Sequence, residues 1–372
     1  MAVLRRFIAC FLILTLLFLS KELTTNSENI LTQTLMRGRS SKSLHFSVLG
    51  DWGTGMADQR RVAQHLGSEA RRFQPSFFLS TGDQMYGTDD VSRANGLDGV
   101  ASIDDLGFQN KFENVYSAAT SSAFKGVPWY MTLGNHDCAG NASAQVLYTQ
   151  HSPSKLWNMP NRYYSFQKRV GKSKNVVQFI VLDSCSLACD KGKNTRCTHV
   201  QLNSNDDDKN RQLIWLQRML RQELPTKKSM FVVVSHWPIF SVMGNGPTEV
   251  MIREVEPMLA EAATRYKTLW FNGHDHGLQH IQRQDNHYFV SGGGGFQIHK
   301  GLKPTADGAY KDTKHDVFVS KWNELENVNV LYSKGCYGFM NVELSPDGNG
   351  EVSFFESVQG KKEPRLVYTA LV

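Results

Sequence analysis

The sequence predicts an α/β fold, in which buried strands are combined with helices. Short apolar runs stop at a glycine or a polar turn, as the strands of a covered sheet do. Apolar residues recur at helical spacing in residues 60–73, 211–224 and 249–263, which is typical of helices packed on a sheet. The chain has 372 residues, of which 41% are hydrophobic and 20% charged, so a large core is expected and wholesale disorder is not.

Five of the apolar runs are predicted strands that lead directly into residues able to bind metal ions. The runs are 46–49, 77–79, 129–131, 231–234 and 268–271, and the residues that follow them are, in the same order, Asp51, Asp83 with Tyr86, Asn135, His236, and His274 with His276. Ligand sites in open α/β sheets lie outside the carboxyl ends of the strands. We therefore expect these residues to converge in space although they are distant in sequence.

The residue types indicate the kind of centre. Carboxylates, a phenol and imidazoles, without a thiolate, suit Fe(III) beside a divalent ion. Asp83 could bridge two ions, and such a pair, about 3.5–4 Å apart, clamps a phosphoryl group and activates water. Tyr86 would bind as a phenolate only beside a strong Lewis acid, because the pKa of a free phenol is about 10. The pattern predicts a two-metal phosphoesterase.

Each of these residues also has a purely structural explanation. An aspartate such as Asp51, which follows a glycine at a strand end, is commonly a turn residue or a helix N-cap. Tyr86 in isolation would be a packed aromatic residue. The presence of all five segments in order favours the metal centre. Trp52 and Trp237 are expected to line its pocket, whereas His280, His287, His299 and His315 match no ligand position and are expected to have surface or packing roles.

The five motifs resemble those of the purple acid phosphatases, a branch of the calcineurin-like metallophosphoesterases. Asp-x-Gly, Gly-Asp-x-x-Tyr, Gly-Asn-His-Asp, Val-x-x-His and Gly-His-x-His occur in the family's order, and the resemblance extends from about Leu44 to residues 338–340. Related phosphodiesterases and protein phosphatases usually carry a histidine where this chain has Gly53. The missing histidine and the added Tyr86 together mark the purple branch. The resemblance implies one domain over residues 44–372, with two packed mixed β-sheets flanked by helices in four layers.

The resemblance also implies a role for each residue. Asp51, Asp83, Tyr86 and His276 would surround Fe(III), and Asp83, Asn135, His236 and His274 would hold a divalent Fe, Zn or Mn ion. His136 is similar to the histidine that binds the phosphate or protonates the leaving oxygen. Asn245 stands before Gly-Pro-Thr where animal tartrate-resistant members usually have another histidine. An amide can hydrogen-bond a phosphate oxygen but cannot transfer a proton near about pH 6, so protonation would depend on His136.

The expected activity is that of an acid phosphatase acting on phosphate monoesters, either small molecules or phosphoproteins. A hydroxide on Fe(III) or between both ions would attack phosphorus in line, and an acidic pH optimum follows because the metals acidify water. Residues 87–112 are expected to form a loop over the site rim that influences substrate choice. A phosphodiesterase or nucleotide hydrolase is an alternative, and so is a secreted binding protein with a degenerate site. The sequence has no long stripe of basic residues interleaved with aromatic ones, so a nucleic-acid partner is not expected. A monomer is expected.

The N-terminus predicts entry into the secretory pathway. Arg5 and Arg6 precede an apolar run over residues 7–19, which is typical of a signal peptide in residues 1–20 and is short for a membrane span. The cleavage region lacks well-placed small residues, so retention as a membrane anchor stays an alternative. Residues 21–43 are polar and predict a flexible leader. The protein would then act outside the cell or in a lysosome-like or vacuole-like compartment.

The cysteines agree with this compartment. Beyond the signal segment they are Cys138, Cys185, Cys189, Cys197 and Cys336, an odd number that leaves at least one either unpaired or paired with another molecule. Three of them lie between residues 185 and 197, where a local disulfide is preferred over a metal site because paired Cys-x-x-Cys spacing is absent. Asn141-Ala142-Ser143 is a glycosylation acceptor in a eukaryotic secretory pathway.

Overall fold

Two mixed β-sheets form the centre of the protein, as predicted. The computed structural model describes residues 43–87, 98–188, 206–299 and 328–372. Within these residues the strands are β1 (Leu44–Leu49), β2 (Phe78–Ser80), β3 (Trp129–Tyr130), β4 (Trp157–Asn158), β5 (Tyr164–Arg169), β6 (Val176–Val181), β7 (Met230–Val234), β8 (Lys267–Asn272), β9 (Leu278–Arg283), β10 (Asn286–Ser291), β11 (Val328–Lys334), β12 (Gly338–Leu344), β13 (Gly350–Glu356) and β14 (Arg365–Leu371). The first sheet has the order β14-β13-β12-β1-β2-β3-β4, and the second has the order β11-β9-β10-β8-β7-β6-β5.

The strands that precede the candidate ligands run parallel to one another. In the first sheet β1 pairs with β2 and β2 with β3, and Phe78 lies opposite both Ser47 and Trp129. In the second sheet β7 pairs with β8, and Val232 lies opposite Leu269. Their carboxyl ends therefore point the same way within each sheet, and the loops that follow them are neighbours.

The main core lies between the two sheets. The Phe46 ring of β1 is fully buried, with its centroid 5.4 Å from that of Phe179 on β6 and 6.2 Å from that of Phe271 on β8. Every residue of β7 is buried. Strands covered on both faces read as continuous apolar runs, which is why the alternating pattern of a half-exposed strand is absent there.

Helices cover the outer faces of the sheets. They are α1 (Ala57–Phe73), α2 (Leu106–Phe108), α3 (Asn135–Cys138), α4 (Ala142–His151), α5 (Ser184–Ala188), α6 (Asp206–Leu220) and α7 (Glu256–Ala263). Helix α1 packs against β12 of the first sheet, and α7 packs against β8 and β10 of the second. This arrangement gives the helix–sheet–sheet–helix layers that the resemblance implies.

The three predicted helices are present, but the third is divided. A π-helical turn over Met251–Val255 precedes α7, which has Pro257 in its first turn. Proline has no N–H to donate to the carbonyl four residues earlier, so the regular ladder is interrupted where α7 begins. Apolar periodicity over residues 249–263 does not reveal this break.

The segment 87–112, expected to be a rim loop, is partly built into the core. Residues 88–97 lie outside the described residues. Beyond them, α2 is followed by a π-helical turn over Gln109–Glu113, and the rings of Phe108 and Phe112 pack edge-on against buried Trp157. Asp98, in the same segment, contacts His136 beside the candidate ligands.

The predicted signal segment and all of the leader except Ser43 lie outside the described residues. Among the residues that the structure describes, no helix has both the length and the apolar character needed to cross a membrane. Residues Leu44–Val372 cluster as one compact unit.

Candidate metal centre

Three of the candidate ligands occupy a backbone conformation that non-glycine residues rarely adopt. The φ angles of Asp51, Asp83 and His274 are 58°, 54° and 69°. Left-handed non-glycine residues cost of order 1 kcal/mol each and persist where the surroundings impose them, typically at functional sites. Here they turn the chain sharply just after β1, β2 and β8.

The glycines of the motifs make room for carboxylates from neighbouring loops. A Cβ atom on Gly134 would lie 2.1 Å from Oδ1 of Asp83, and one on Gly273 would lie 2.3 Å from Oδ2 of Asp51. Neither position tolerates a side chain while the carboxylate stays in place. Gly-Asn-His-Asp and Gly-His-x-His therefore begin with glycine because a carboxylate of a neighbouring ligand loop occupies the space.

Asp51, Tyr86 and His276 form one half of the site. The Tyr86 hydroxyl lies 3.2 Å from Oδ1 of Asp51 and 3.4 Å from Nε2 of His276, and that nitrogen lies 3.4 Å from the same aspartate oxygen. All three side chains are buried. Nδ1 of His276 lies 2.6 Å from the Gln297 carbonyl oxygen. Donation to that carbonyl fixes the proton on Nδ1 and leaves Nε2 as an electron-pair donor.

Asn135, His236 and His274 form the other half. Oδ1 of Asn135 lies 2.9 Å from Nε2 of His236 and 2.9 Å from Nδ1 of His274, and the two ring nitrogens are 3.2 Å apart. Nδ1 of His236 lies 2.9 Å from the Thr81 carbonyl oxygen, which again leaves Nε2 as a donor of electrons.

Asp83 lies between the two halves. Its Oδ2 is 3.4 Å from Nε2 of His236, and ligand atoms of Asp51, Asp83 and His236 all lie within 4.8 Å of one another. The structure thus brings together all seven residues that the motifs predict. Oxygen and nitrogen atoms with lone pairs form two adjacent groups that share Asp83, and this donor set fits a pair of cations.

The charges of the protein groups in the site also fit cations. Burial lowers the pKa of His236, but the charge of Asp83 more than reverses this and raises it to about 9. Burial, followed by the charges of Asp83 and Asp51, holds the pKa of Tyr86 well above its usual value. The phenol is therefore neutral unless a highly charged cation offsets the two carboxylates, as predicted for a trivalent ion.

His136 lies at the side of this cluster. Its backbone N–H donates to Oδ1 of Asp83 (2.9 Å), and its ring packs 4.3 Å from the Tyr86 ring. Nδ1 of His136 lies 2.8 Å from Oδ2 of Asp98, and Nε2 lies 3.9 Å from Oδ2 of Asp83. Burial lowers the pKa of His136, but Asp83 and then Asp98 raise it more, so the net shift is upward. No sequence motif identified Asp98 as a partner of this residue.

Asp137, the last residue of the Gly-Asn-His-Asp motif, connects two loops that carry candidate ligands. The Asp137 carboxylate accepts from the backbone N–H groups of Gly134 (2.8 Å) and Gln84 (3.1 Å). Burial and the nearby charge of Asp83 raise the pKa of Asp137 to about 7. The loops after β2 and β3 are therefore joined through a buried side chain beside the ligands.

Asn245 contacts the backbone of a ligand loop. Its Nδ2 donates to the His274 carbonyl oxygen (3.3 Å) and lies 3.4 Å from Nε2 of His299, while its backbone N–H donates to Oδ1 of Asp275 (2.7 Å). His299, for which a surface or packing role is expected, packs beside the site, where its ring stacks on the candidate ligand His276 at 4.0 Å.

The other aromatic and histidine predictions have mixed outcomes. Trp237 lies against the candidate ligands, with its ring 5.2 Å from that of His274. Trp52 instead turns into the core, where its indole N–H donates to Ser80 (3.1 Å). His280 and His287 pack together in the second sheet, as expected, and His315 lies outside the described residues.

The predicted local disulfide is wrong for Cys185. This residue pairs with Cys138, at a sequence separation of 47, and the bond joins α5 to α3. Helix α3 carries Asn135 and His136, and Ser184 of α5 accepts the backbone N–H of His236 (3.1 Å). The disulfide thus connects a ligand-bearing helix to a helix that supports the backbone of a second candidate ligand. Cys336 is buried and unpaired, and Cys189 and Cys197 lie outside the described residues.

The fold and this centre define a metal-dependent phosphoesterase. The chain belongs to the calcineurin-like phosphoesterase family, whose family model matches residues 44–278.

Its curated relatives narrow this class to the tartrate-resistant and purple acid phosphatases. It is 31% identical to rabbit (Oryctolagus cuniculus) tartrate-resistant acid phosphatase type 5 over 261 residues, which cover 68% of this chain and 74% of the relative. The human (Homo sapiens) protein of the same name is 32% identical over 270 residues, with 68% and 74% covered. Purple acid phosphatase 4 of Arabidopsis thaliana is 29% identical over 317 residues, with 82% and 77% covered. The resemblance carried by the motifs is confirmed.

Among solved structures, GAP50, the anchor in the inner membrane complex of Plasmodium, shares the fold. The TM-score is 0.66 at 23% identity, with 88% of each chain covered. The relatives in sequence therefore identify the chain as a phosphatase of the purple acid phosphatase type. The solved structure shows that an anchoring protein has the same fold.

Proposed function

We propose that this protein hydrolyses phosphate monoesters at a dinuclear Fe(III)–M(II) centre, where M is Fe, Zn or Mn. The convergence of the candidate ligands is the observation that carries the proposal. Asp51, Tyr86 and His276 lie within 3.4 Å of one another through their donor atoms, and Asn135 contacts both His236 and His274 at 2.9 Å. Asp83 lies between the two groups and would bridge them.

The two metal ions, when bound, supply Lewis acidity that activates water and neutralises charge on the phosphoryl oxygens. The protein's own contribution is to hold the donor atoms in place. The Thr81 and Gln297 carbonyls fix the proton positions of His236 and His276, and the Gly134 and Gly273 positions leave space for the carboxylates. A preformed site of this kind requires little rearrangement when substrate binds.

His136 is proposed to bind the phosphate and to protonate the leaving oxygen. Asp98 holds Nδ1 at 2.8 Å, so Nε2 is the atom available to substrate. The upward pKa shift of His136 keeps the imidazole protonated in mildly acidic solution, as a general acid requires. Asn245 would add a hydrogen bond to phosphate and no proton.

An acidic lumenal or extracellular compartment is proposed as the working environment. The predicted signal segment supports it, and so does the disulfide between Cys138 and Cys185. Asn141 is exposed at the start of α4, where its Oδ1 caps the helix by accepting from Ala144 N–H (3.1 Å). An asparagine that is exposed in this way is accessible for glycosylation.

Comparison of mono- and diester hydrolysis tests the proposal. We expect the purified metal-loaded protein to hydrolyse p-nitrophenyl phosphate with a higher kcat/KM than bis(p-nitrophenyl) phosphate, with a maximum below about pH 7. Preference for the diester would favour the phosphodiesterase alternative. A peak above about pH 8 would contradict the Fe(III) assignment, because at that pH even water bound to Zn²⁺ is already ionised and no stronger Lewis acid is needed. Absence of metal and of hydrolysis would favour a binding protein on this fold.

A further inference from the structure

One short segment surrounds the candidate ligand His276 on three sides. The Phe296 ring meets the His276 ring edge-on at 5.2 Å, the Gln297 carbonyl oxygen lies 2.6 Å from its Nδ1, and the His299 ring stacks on it at 4.0 Å with an interplanar angle of 20°. The backbone N–H of His299 also donates to the His276 carbonyl oxygen (3.0 Å). The segment after β10 thus fixes the plane of this imidazole.

His299 is itself held by residues of the ligand loop and its neighbour. Nδ1 of His299 lies 3.0 Å from Oδ1 of Asp275, a fully buried carboxylate between the two histidines of Gly-His-x-His. Nε2 lies 3.4 Å from Nδ2 of Asn245. The same Asp275 oxygen accepts from the Asn245 backbone N–H (2.7 Å). The His299 ring therefore has a defined position although 23% of its side chain is exposed.

The contacts of His299 favour one half of the centre. Its ring stacks on His276, whose Nε2 faces Asp51 and Tyr86. The rings of His236 and His274, in the other half, contact Trp237 and one another. A change at position 299 should therefore disturb one metal position more than the other.

We propose that His299 is a positioning residue that orients His276 for the metal ion in the Asp51–Tyr86 half of the centre. The inference rests on the proposed function, because it assumes that His276 binds a metal. Stacking on a flat, anchored ring restricts rotation of the His276 imidazole, so less conformational freedom is lost when the ion binds. The role is carried by ring contact and position, and an aromatic ring of similar size should preserve most of it.

Titration of the metal-free protein with Co²⁺ alone, followed by calorimetry and by the d–d absorption of the bound ion, tests the inference. We expect two binding steps in the wild type. His299→Ala should weaken one step by about 10–100-fold and leave the other within about threefold, since outer partners of ligands have effects of this size. His299→Phe should recover most of the loss, because it restores the stacked ring.

His287→Ala is the matched control. His287 is also a partly exposed histidine stacked on another histidine, His280. It lies in the second sheet beside a cavity whose lining includes none of the candidate metal ligands. It should leave both steps unchanged. Unchanged Co²⁺ binding in His299→Ala, or binding by His299→Phe as weak as that of His299→Ala, would overturn the inference. A wild type that binds no Co²⁺ would instead overturn the proposed function, so the two failures are distinguishable.

Discussion

Two pairs of histidines in this protein have similar distances between their facing ring nitrogens and opposite electrostatics. In the candidate metal centre, Nε2 of His236 lies 3.2 Å from Nδ1 of His274. In the second sheet, Nε2 of His280 lies 2.9 Å from Nδ1 of His287. The charge of Asp83 outweighs burial and raises the pKa of His236 to about 9, whereas burial, together with the neighbouring histidine, lowers the pKa of His280 to about 3.

The difference lies in what surrounds each pair. Asn135 and Asp83 direct oxygen atoms at the first pair, and these atoms attract a proton or a metal ion. The second pair borders an open cavity of about 430 Å³, and one of its neighbours is Lys267, a cation that further lowers the pKa of His287. Paired imidazoles alone therefore do not make a metal site. Converging anionic oxygens are needed as well.

Removing Asp83, the carboxylate proposed to bridge the two halves, should have the largest effect. In Asp83→Asn the charge between the two halves is lost, and we expect metal content to fall and kcat/KM for p-nitrophenyl phosphate to drop roughly 10³-fold or more. Metal analysis and steady-state kinetics measure this effect. His287→Ala in the second pair should keep activity within about twofold. Equal losses in the two variants would contradict the account.

Replacing the candidate general acid should have the next largest effect, and it should depend on the substrate. In His136→Asn, we expect kcat for an alkyl phosphate to fall about 10²-fold or more, because the poor leaving group needs a proton. The loss for p-nitrophenyl phosphate should be smaller, since p-nitrophenolate leaves without protonation. Equal losses for both substrates would assign His136 to binding alone.

Neutralising the partner of that histidine should have a moderate effect. In Asp98→Asn, Nδ1 of His136 loses a nearby negative charge, so the pKa of His136 should fall. A general acid is active when protonated, and the alkaline limb of the pH–rate profile should therefore move to lower pH, with kcat/KM about tenfold lower at pH 6. A profile identical to that of the wild type would exclude this role of Asp98.

The second histidine pair should change stability rather than activity. Its pKa values of about 3 and about 4 in the folded protein lie below the ordinary value of 6.5. The unfolded chain therefore takes up protons first as the pH falls below about 6.5, and each imidazole should reduce the free energy of unfolding by up to about 1.4 kcal/mol per pH unit until the folded value is reached.

Urea unfolding of the metal-free protein between pH 6.5 and pH 4.5 would measure this slope. In His287→Asn the slope should be shallower, because the amide does not titrate. An unchanged slope would show that the pair is not kept neutral by the fold.

The candidate ligands could be predicted from the sequence because each one follows a buried strand. Strand ends, glycines and spacing are local features, so Asp51, Asn135 and His274 are identifiable without coordinates. The strands that precede the ligands are predictable from their apolar runs, and the first two helices from apolar residues at helical spacing, since these features are local too.

The supporting residues were not predictable in this way, because their partners are distant in sequence. Asp98 meets His136 only through the packing of the segment before α2, and the stacking of His299 on His276 depends on the chain path after β10. Cys185 forms a disulfide with Cys138, and not with a cysteine closer in sequence, because α5 lies against α3 in the fold. Such pairings are set by tertiary structure, and neither composition nor local spacing encodes them.

The visible absorption spectrum of the oxidised, iron-loaded protein tests whether Tyr86 binds Fe(III), with Tyr86→Phe as the matched control. We predict a charge-transfer band that colours the protein purple, because Tyr86 would bind Fe(III) as a phenolate beside Asp51 and His276. The band should be absent from the variant at equal iron content. A colourless wild type that contains two divalent ions and still hydrolyses phosphate esters would contradict the assignment of Fe(III) to this half of the centre.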